Sequence, residues 1–278
     1  MQFPVPSETF ASLDVEALRC QGQDVKVYAL RPEHKLYSQM MIDREHEQLF
    51  VQHLSLTSFL RAIVFCIGHP VMVISLLRWV IEACIKTPKH LFKSFLLLPS
   101  TLSIFSAIYK DNPDVVHLFW GHYSSMVGFL VEKYMPSTVT SQFLGAHDLM
   151  SGYPASAKLA KKADVVFTHS KSNVPLFKKM GVAPGLVSVV LRGTKLDFPF
   201  NGGLDRFGCL DEPVFLTAAR LIEEKGVDDV INIFSKVMQY YPKSRLNIAG
   251  DGPFKKELIK LATSLGCISN IQFLGHLK

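Results

Sequence analysis

The apolar and polar positions of the chain follow two periods that alternate along its length. Short runs rich in Val and Ile, typical of buried strands, lie between longer stretches in which apolar residues recur every three or four positions, as in helices. The short runs predict strands at 25–30, 115–118, 139–143, 165–168, 187–190, 214–219, 246–249 and 271–274. The longer stretches predict helices at 7–21, 154–162, 172–180, 227–241 and 254–265, and one whose apolar face runs from Met126 to Tyr134. This alternation predicts an α/β fold with parallel sheets covered on both faces.

The alternation is interrupted at residues 201–213, where three glycines and a proline indicate a linker. We therefore predict an N-terminal domain at 1–200 and a C-terminal domain at 214–278. The C-terminal part supplies only about half of the strands and helices of a doubly wound domain. The N-terminal part begins with a helix, whereas such sheets usually begin with a strand. Both observations predict that the chain is a fragment, incomplete at both ends.

Residues 54–110 form the most apolar part of a chain whose mean hydropathy is +0.20. Their two uncharged runs, 62–77 and 94–109, are shorter than the ~20 residues that span a bilayer, and prolines interrupt both. Six basic residues and one acid give this stretch most of the net charge of +6. Two interpretations remain open. The helices are buried and their basic side chains reach solvent, or they contact the face of an anionic membrane.

The composition excludes several classes of protein. Hydrophobic residues make up 48% of the chain and charged residues 19%, which excludes a disordered chain or a long coiled coil. The five cysteines are too widely spaced for a disulfide framework or a zinc site. No signal peptide begins the sequence, so we interpret the chain as cytoplasmic. The basic excess comes without a nucleic-acid-binding motif, so we expect no nucleic acid partner.

Two cations and a glycine-rich turn follow predicted strands of the C-terminal part. Arg220 comes just after strand 214–219, and Lys225 lies five residues later, before the next helix. Ligands of α/β folds bind at this edge of the sheet, where an Arg and a Lys can hold a diphosphate. Gly250-Asp251-Gly252-Pro253 follows the next strand and permits a tight turn with close approach of backbone to a ligand. The alternatives are an ordinary solvated loop and a simple helix-capping turn.

In order and spacing, these segments resemble the second domain of the family-4, or group 1, glycosyltransferases of GT-B fold. The resemblance rests on Ala219-Arg220-Leu221, Glu223-Glu224-Lys225-Gly226, Gly250-Asp251-Gly252-Pro253 and Ile271-Gln272-Phe273-Leu274-Gly275. The opening Phe3-Pro4-Val5-Pro6-Ser7-Glu8-Thr9-Phe10 is similar to that of bacterial members that build cell-surface polysaccharides. The resemblance implies two Rossmann-like domains, the second incomplete here. It implies that Arg220 and Lys225, with the Gly250, Asp251 and Gly252 turn, bind the donor, and that Ser7, Glu8 and Thr9 face the cleft on the acceptor side.

The resemblance also points to His147 and Asp148 as catalytic residues. Family members often carry His-Gly-x-Asp after the corresponding strand, with the His near the transferring sugar. Here the order is Leu144-Gly145-Ala146-His147-Asp148, so either Leu144 replaces that His or His147 takes its role after the glycine. A polar loop without a catalytic role is the alternative for His147. His122, which follows Trp120-Gly121, is a second candidate on the acceptor side.

The function implied by the resemblance is transfer of a sugar from a nucleotide-sugar donor to a saccharide or lipid-linked acceptor, in polysaccharide or lipid-linked oligosaccharide synthesis. The family retains the anomeric configuration and needs neither a metal nor a further cofactor. Its second domain ends in a Glu-x7-Glu motif, and no such motif follows the Gly-Asp-Gly-Pro turn here. A non-catalytic fragment that docks on a membrane or complex is therefore an alternative, and a GT-B sugar-nucleotide epimerase is another. We expect the protein to act in the cytoplasm, at the inner face of the plasma membrane if residues 54–110 contact lipid.

Overall fold

The computed structural model describes residues 2–5, 9–191 and 212–277. They fall into two compact units, one within residues 1–196 and the other within residues 197–278. The predicted linker at 201–213 lies almost entirely outside the described residues, as do Ser7 and Glu8. The domain bounds therefore stay a prediction.

The two units are built from helices and short strands in alternation. The described α-helices are α1 (Thr9–Cys20), α2 (Tyr37–Asp43), α3 (Leu56–Gly68), α4 (Pro70–Cys84), α5 (Pro88–Leu96), α6 (Leu98–Asp111), α7 (Ser125–Tyr134), α8 (Ala146–Ser151), α9 (Pro154–Ala160), α10 (Val174–Met180), α11 (Val227–Val237) and α12 (Lys255–Ser264). The described strands are β1 (Lys26–Tyr28), β2 (Phe50–Gln52), β3 (Val115–Phe119), β4 (Val139–Phe143), β5 (Val165–Thr168), β6 (Val187–Val189), β7 (Val214–Ala218), β8 (Arg245–Ala249) and β9 (Ile271–Gly275).

Every described strand pair is parallel, which confirms the predicted α/β fold with parallel sheets. The first unit contains a two-stranded sheet, β1-β2, and a four-stranded sheet in the order β3-β4-β5-β6. The second unit contains a three-stranded sheet in the order β7-β8-β9. Within each sheet, the loops that follow the strands therefore emerge at one edge, the carboxyl edge.

The structure departs from the sequence prediction where elements are short. Helices α2 and α8 have seven and six residues, and β2 has three, so none of them is long enough to show a clear period. The helix predicted at 227–241 ends at Val237, because the chain turns back there before Pro242. The first turn of the helix predicted at 172–180 is a 3₁₀ turn, Lys171–Asn173, capped by the Ser170 hydroxyl.

The apolar stretch at 54–110 folds into four helices, α3 to α6, which contribute to the core of the first unit. Trp79 of α4 stacks on Phe129 of α7 with the ring centroids 4.7 Å apart, and Phe105 of α6 is fully buried. None of the described helices is by itself long and apolar enough to cross a membrane. The pairs α3–α4 and α5–α6 reach that length and composition together, but they bend by 103° and 54° at their junctions.

Candidate functional site

The carboxyl edge of the β7-β8-β9 sheet is a frame of loops joined by backbone hydrogen bonds. The amide of Leu221, after β7, donates to the carbonyl of Asp251, after β8, at 3.0 Å. In the other direction, the amide of Phe254 donates to the carbonyl of Leu221 at 3.0 Å. The amide of Gly250 donates to the carbonyl of Gly275, at the end of β9, at 2.7 Å. These bonds and the completely buried Leu221 side chain fix the positions of all three loops.

The glycines of the Gly250-Asp251-Gly252 turn are needed for contact between two loops. A Cβ atom at Gly250 would lie 1.8 Å from the carbonyl oxygen of Ala219, and one at Gly252 would lie 2.3 Å from that of Leu221. Gly250 also has a φ of +129°, which residues with a side chain rarely adopt. The sequence predicted that these glycines let backbone approach a ligand. In the structure they let the turn approach the backbone that carries Arg220.

Arg220 and Lys225 are exposed at this frame, as the sequence predicted from their place after β7. Arg220 directly precedes the buried Leu221, and Lys225 ends a 3₁₀ turn, Glu223–Lys225, before α11. Within the described part of the chain neither cation forms an ion pair. Both charges are therefore available to an anion.

Several carboxylates share this edge with the two cations. Glu223 and Glu224 lie between them, and Asp228 and Asp229 occupy the first turn of α11. Asp251 turns its carboxylate back on its own loop, where Oδ1 accepts a hydrogen bond from the Gly252 amide at 2.8 Å. The net charge of the surrounding segment is therefore unfavourable to an anion, and directed contacts with Arg220 and Lys225 are what this edge offers in favour of one.

A second group of predicted residues meets at the carboxyl edge of the β3-β4-β5 strands in the first unit. Asp148 is buried, and its two carboxylate oxygens accept hydrogen bonds from the amides of Gly121, after β3, and Gly145, after β4, each at 2.9 Å. Asp148 therefore joins the two loops. The sequence assigned it a catalytic role, but its contacts and burial are those of a residue that positions other groups.

His122 and His147 lie beside Asp148. The Nε2 atom of His122 is 3.4 Å from Asp148 Oδ1, and the rings of His122 and His147 are 5.4 Å apart. Burial lowers the pKa of His122 below its ordinary value, the Asp148 carboxylate opposes this shift, and the proximity of His147 adds to it. His147 is exposed, whereas His122 is half-buried. The structure thus brings His122, His147 and Asp148 together, with the buried carboxylate beside His122.

Aromatic residues that the sequence analysis did not single out flank this group. Trp120 adopts a φ of +84°, a left-handed conformation that is rare for a residue with a side chain. The Phe10 ring, next to Thr9 at the start of α1, lies 5.6 Å from the Trp120 ring. His169, after β5, stacks on Phe143 at 5.8 Å. The sequence offered one signal for Trp120, Phe143 and His169, namely that each follows or ends a predicted strand.

Comparison with known proteins connects the chain to one family. Residues 209–278 match the family model described as glycosyl transferases group 1. An uncharacterised glycosyltransferase of Methanocaldococcus jannaschii is 31% identical over 125 residues, which are 42% of this chain and 31% of that protein. The alpha-monoglucosyldiacylglycerol synthase of Acholeplasma laidlawii is 40% identical over 68 residues, which are 24% of this chain and 17% of that protein. The chain therefore spans a third or less of these relatives.

The fold is also that of solved glycosyltransferase structures. The HepE protein of Anabaena, crystallised with UDP and glucose, superimposes with a TM-score of 0.62 at 15% identity, over all of this chain and 68% of HepE. This likeness confirms the predicted GT-B fold. The match at residues 209–278 makes the C-terminal part of the chain similar to the group 1 glycosyltransferases.

Proposed function

We propose that the chain takes part in transferring a sugar from a nucleotide-sugar donor to an acceptor hydroxyl, and that Arg220 and Lys225 bind the donor's diphosphate. The observation that carries this proposal is the edge of the β7-β8-β9 sheet. It presents two exposed cations on loops that backbone hydrogen bonds hold in place. Preorganised charges of this kind stabilise a developing anion without the cost of reorganising during the reaction.

In this proposal, the carboxyl edge of the β7-β8-β9 sheet stabilises the leaving group. In the transfer, the bond between the anomeric carbon and the diphosphate oxygen breaks, and a bond from that carbon to the acceptor oxygen forms. The departing nucleoside diphosphate takes the electron pair, and the proton of the acceptor hydroxyl passes to its leaving oxygen. Arg220 contacts the diphosphate through its planar fork of N–H donors and Lys225 as a point charge. We propose retention of the anomeric configuration by analogy with the family that the chain resembles. We propose that no metal is needed, because the two cations supply the charge that a metal would otherwise provide.

His147 and His122 are our candidates for contact with the sugar or the acceptor. His147 is exposed, and the lowered pKa of His122 favours the neutral imidazole, which can accept a proton or a hydrogen bond. Asp148 positions both through the loops that it joins. We assign no ligand contact to Thr9, whose neighbour Phe10 packs on Trp120.

The relatives suggest which donor nucleotide and which acceptor to test first. UDP and glucose are bound in the Anabaena HepE structure, so a UDP-sugar is the first donor to test. The Acholeplasma relative is named for a glucosylated diacylglycerol, which favours a lipid or lipid-linked acceptor over a soluble saccharide. We place the reaction on the cytoplasmic side of a membrane, in the synthesis of a cell-surface glycan.

A non-catalytic role is the second candidate. One observation favours it, because four carboxylates, those of Glu223, Glu224, Asp228 and Asp229, share the proposed edge with its two cations and oppose an anion. For this reason we expect the 278-residue chain to bind nucleoside diphosphates with a Kd near millimolar, about −4 kcal/mol.

A panel of labelled sugar nucleotides separates the two roles. The protein is incubated with UDP-, GDP- and ADP-sugars and with lipid and saccharide acceptors, and labelled product is measured. Transfer from one donor, dependent on one acceptor, supports the enzyme. Binding of nucleoside diphosphate without labelled product from any donor would leave only the non-catalytic role.

A further inference from the structure

Helix α3 is more apolar on its exposed side than on its buried side. At about 100° per residue, six large apolar side chains share an arc of about 140° on the outer surface. They are Leu56, Phe59, Leu60, Ile63, Val64 and Ile67, whose exposed fractions range from 42% to 78%. The side that packs inward carries Ser58, Ala62 and Phe65. A surface helix in water shows the opposite arrangement, so the outer face of α3 is suited to an apolar environment.

The apolar surface continues around the bend between α3 and α4. Ile67, at the end of α3, and Val71, at the start of α4, are 78% and 73% exposed on either side of the Gly68-His69-Pro70 corner. Ile74, one turn further along α4, is 64% exposed. The corner therefore presents a protruding apolar edge rather than isolated exposed residues.

Exposed basic side chains lie on α3 and on α5, in the same apolar part of the chain. Arg61 is exposed on α3, about 60° beyond the edge of the apolar arc. On α5, Lys89, Phe92, Lys93 and Leu96 share one exposed face, so cations and large apolar groups alternate there. The acid Glu82, on α4, is paired with Arg78 at 2.7 Å and with Lys158 at 3.0 Å. It therefore does not neutralise the basic residues of α3 and α5.

We propose that the outer face of α3, the α3–α4 corner and the Lys89–Leu96 face of α5 bind the surface of an anionic lipid bilayer. The apolar side chains enter the boundary between headgroups and acyl chains, and Arg61, Lys89 and Lys93 lie at the level of the phosphates. This arrangement of apolar and basic residues is that of helices that lie in the plane of a membrane interface. The charge decides between lipid and protein, because an anionic surface complements every cation on these faces at once. The proposal does not depend on sugar transfer.

Vesicle flotation without nucleotide tests the proposal. The full chain is mixed with phosphatidylcholine vesicles containing 30% phosphatidylglycerol or none, at low and high salt. We expect at least tenfold stronger binding to the anionic vesicles, and weaker binding at high salt because the basic side chains contribute part of the affinity. The double variant Val64→Glu/Ile67→Glu should lose at least tenfold in binding, because two charges would then face the acyl region. Lys89→Glu/Lys93→Glu should reduce binding to the level seen with neutral vesicles.

The control is Ile233→Glu, which places one glutamate at an apolar side chain, 62% exposed, on α11. It should bind within twofold of the unmodified chain. Circular dichroism confirms that each variant is folded, which is expected because the substituted side chains are exposed. Equal binding to both vesicle types, no binding, or retention of binding by Val64→Glu/Ile67→Glu would overturn the proposal. Dimerisation through the outer face of α3, seen by light scattering and abolished by Val64→Glu/Ile67→Glu, would overturn the proposal as well.

Discussion

Replacing Arg220 or Lys225 by alanine is expected to reduce sugar transfer at least ~10²-fold, the scale for loss of one charge that stabilises a leaving anion. Both side chains are exposed, and neither has an acidic partner among the described residues. Their removal therefore leaves no buried charge uncompensated and should hardly affect folding. The loss should appear in kcat and in kcat/KM together, because the contact strengthens as the diphosphate leaves.

Arg245→Ala is the matched control for Arg220→Ala. Arg245 is exposed at the start of β8, on the opposite edge of the same sheet, with its guanidinium 3.8 Å from Glu212. It carries the same charge in the same unit but away from the proposed site, so its variant should transfer sugar at a near-native rate. Near-native rates for both Arg220→Ala and Lys225→Ala would refute the assignment of the diphosphate to these two residues. A loss of sugar transfer in Arg245→Ala as large as that in Arg220→Ala would also refute this assignment.

Replacing Asp148 by alanine should destabilise the first unit by about 2–6 kcal/mol. The substitution leaves the amides of Gly121 and Gly145 buried without an acceptor, and each unsatisfied group costs about 1–3 kcal/mol. The Asp148→Asn side chain keeps one acceptor oxygen, so this variant should lose about half as much stability. Denaturant unfolding, followed by tryptophan fluorescence, measures the stability of both variants.

Asp164→Asn is the control, because that exposed carboxylate accepts one hydrogen bond, from the amide of Thr140 at 2.8 Å, at the other end of β4. A loss from Asp148→Ala no larger than that of the control would contradict the positioning role.

The pH dependence of Asp148→Asn supplies a second readout. The Asp148 carboxylate raises the pKa of His122 against the effect of burial, so its removal should lower that pKa further, as NMR titration of the imidazole would show. Because the folded pKa is below the unfolded value near 6.5, the unfolded state binds the proton first as the pH falls. Stability therefore declines on acidification below pH 6.5, and it should decline more steeply in the variant. An unchanged His122 titration would mean that the two groups do not interact.

The strands that flank the site could be read from the sequence because their signal is local. The prediction matches β4 and β5 exactly and β3 and β7 within one residue. Buried parallel strands give short runs of β-branched residues, and the parallel topology then brings the following loops to one edge. For that reason Arg220 and the Gly250–Gly252 turn could be placed together, and His122 with His147, before any coordinates were known.

The contacts that define the role of each residue could not be read in the same way, because they depend on tertiary packing. Nothing local shows that the Asp148 carboxylate reaches Gly121, 27 positions earlier. Nor does the sequence show that residue 252 must be glycine because a Cβ atom there would collide with the carbonyl of Leu221. The apolar period of α3 indicates a helix with an apolar face, but only the packing of Ala62 and Phe65 shows that this face is turned outward. Both interpretations of residues 54–110 could therefore stand on sequence alone.

The most direct test of the central claim, that the carboxyl edge of β7-β8-β9 binds the diphosphate of the donor, is an NMR titration of the isotope-labelled chain with UDP and GDP up to about 10 mM. Chemical shift mapping detects binding at the millimolar affinity expected here. We predict saturable shifts of the backbone amides at 219–226 and 250–252, absent in the double variant Arg220→Ala/Lys225→Ala and unchanged in Arg245→Ala. No shifts at this edge, or shifts that persist in the double variant, would contradict the account.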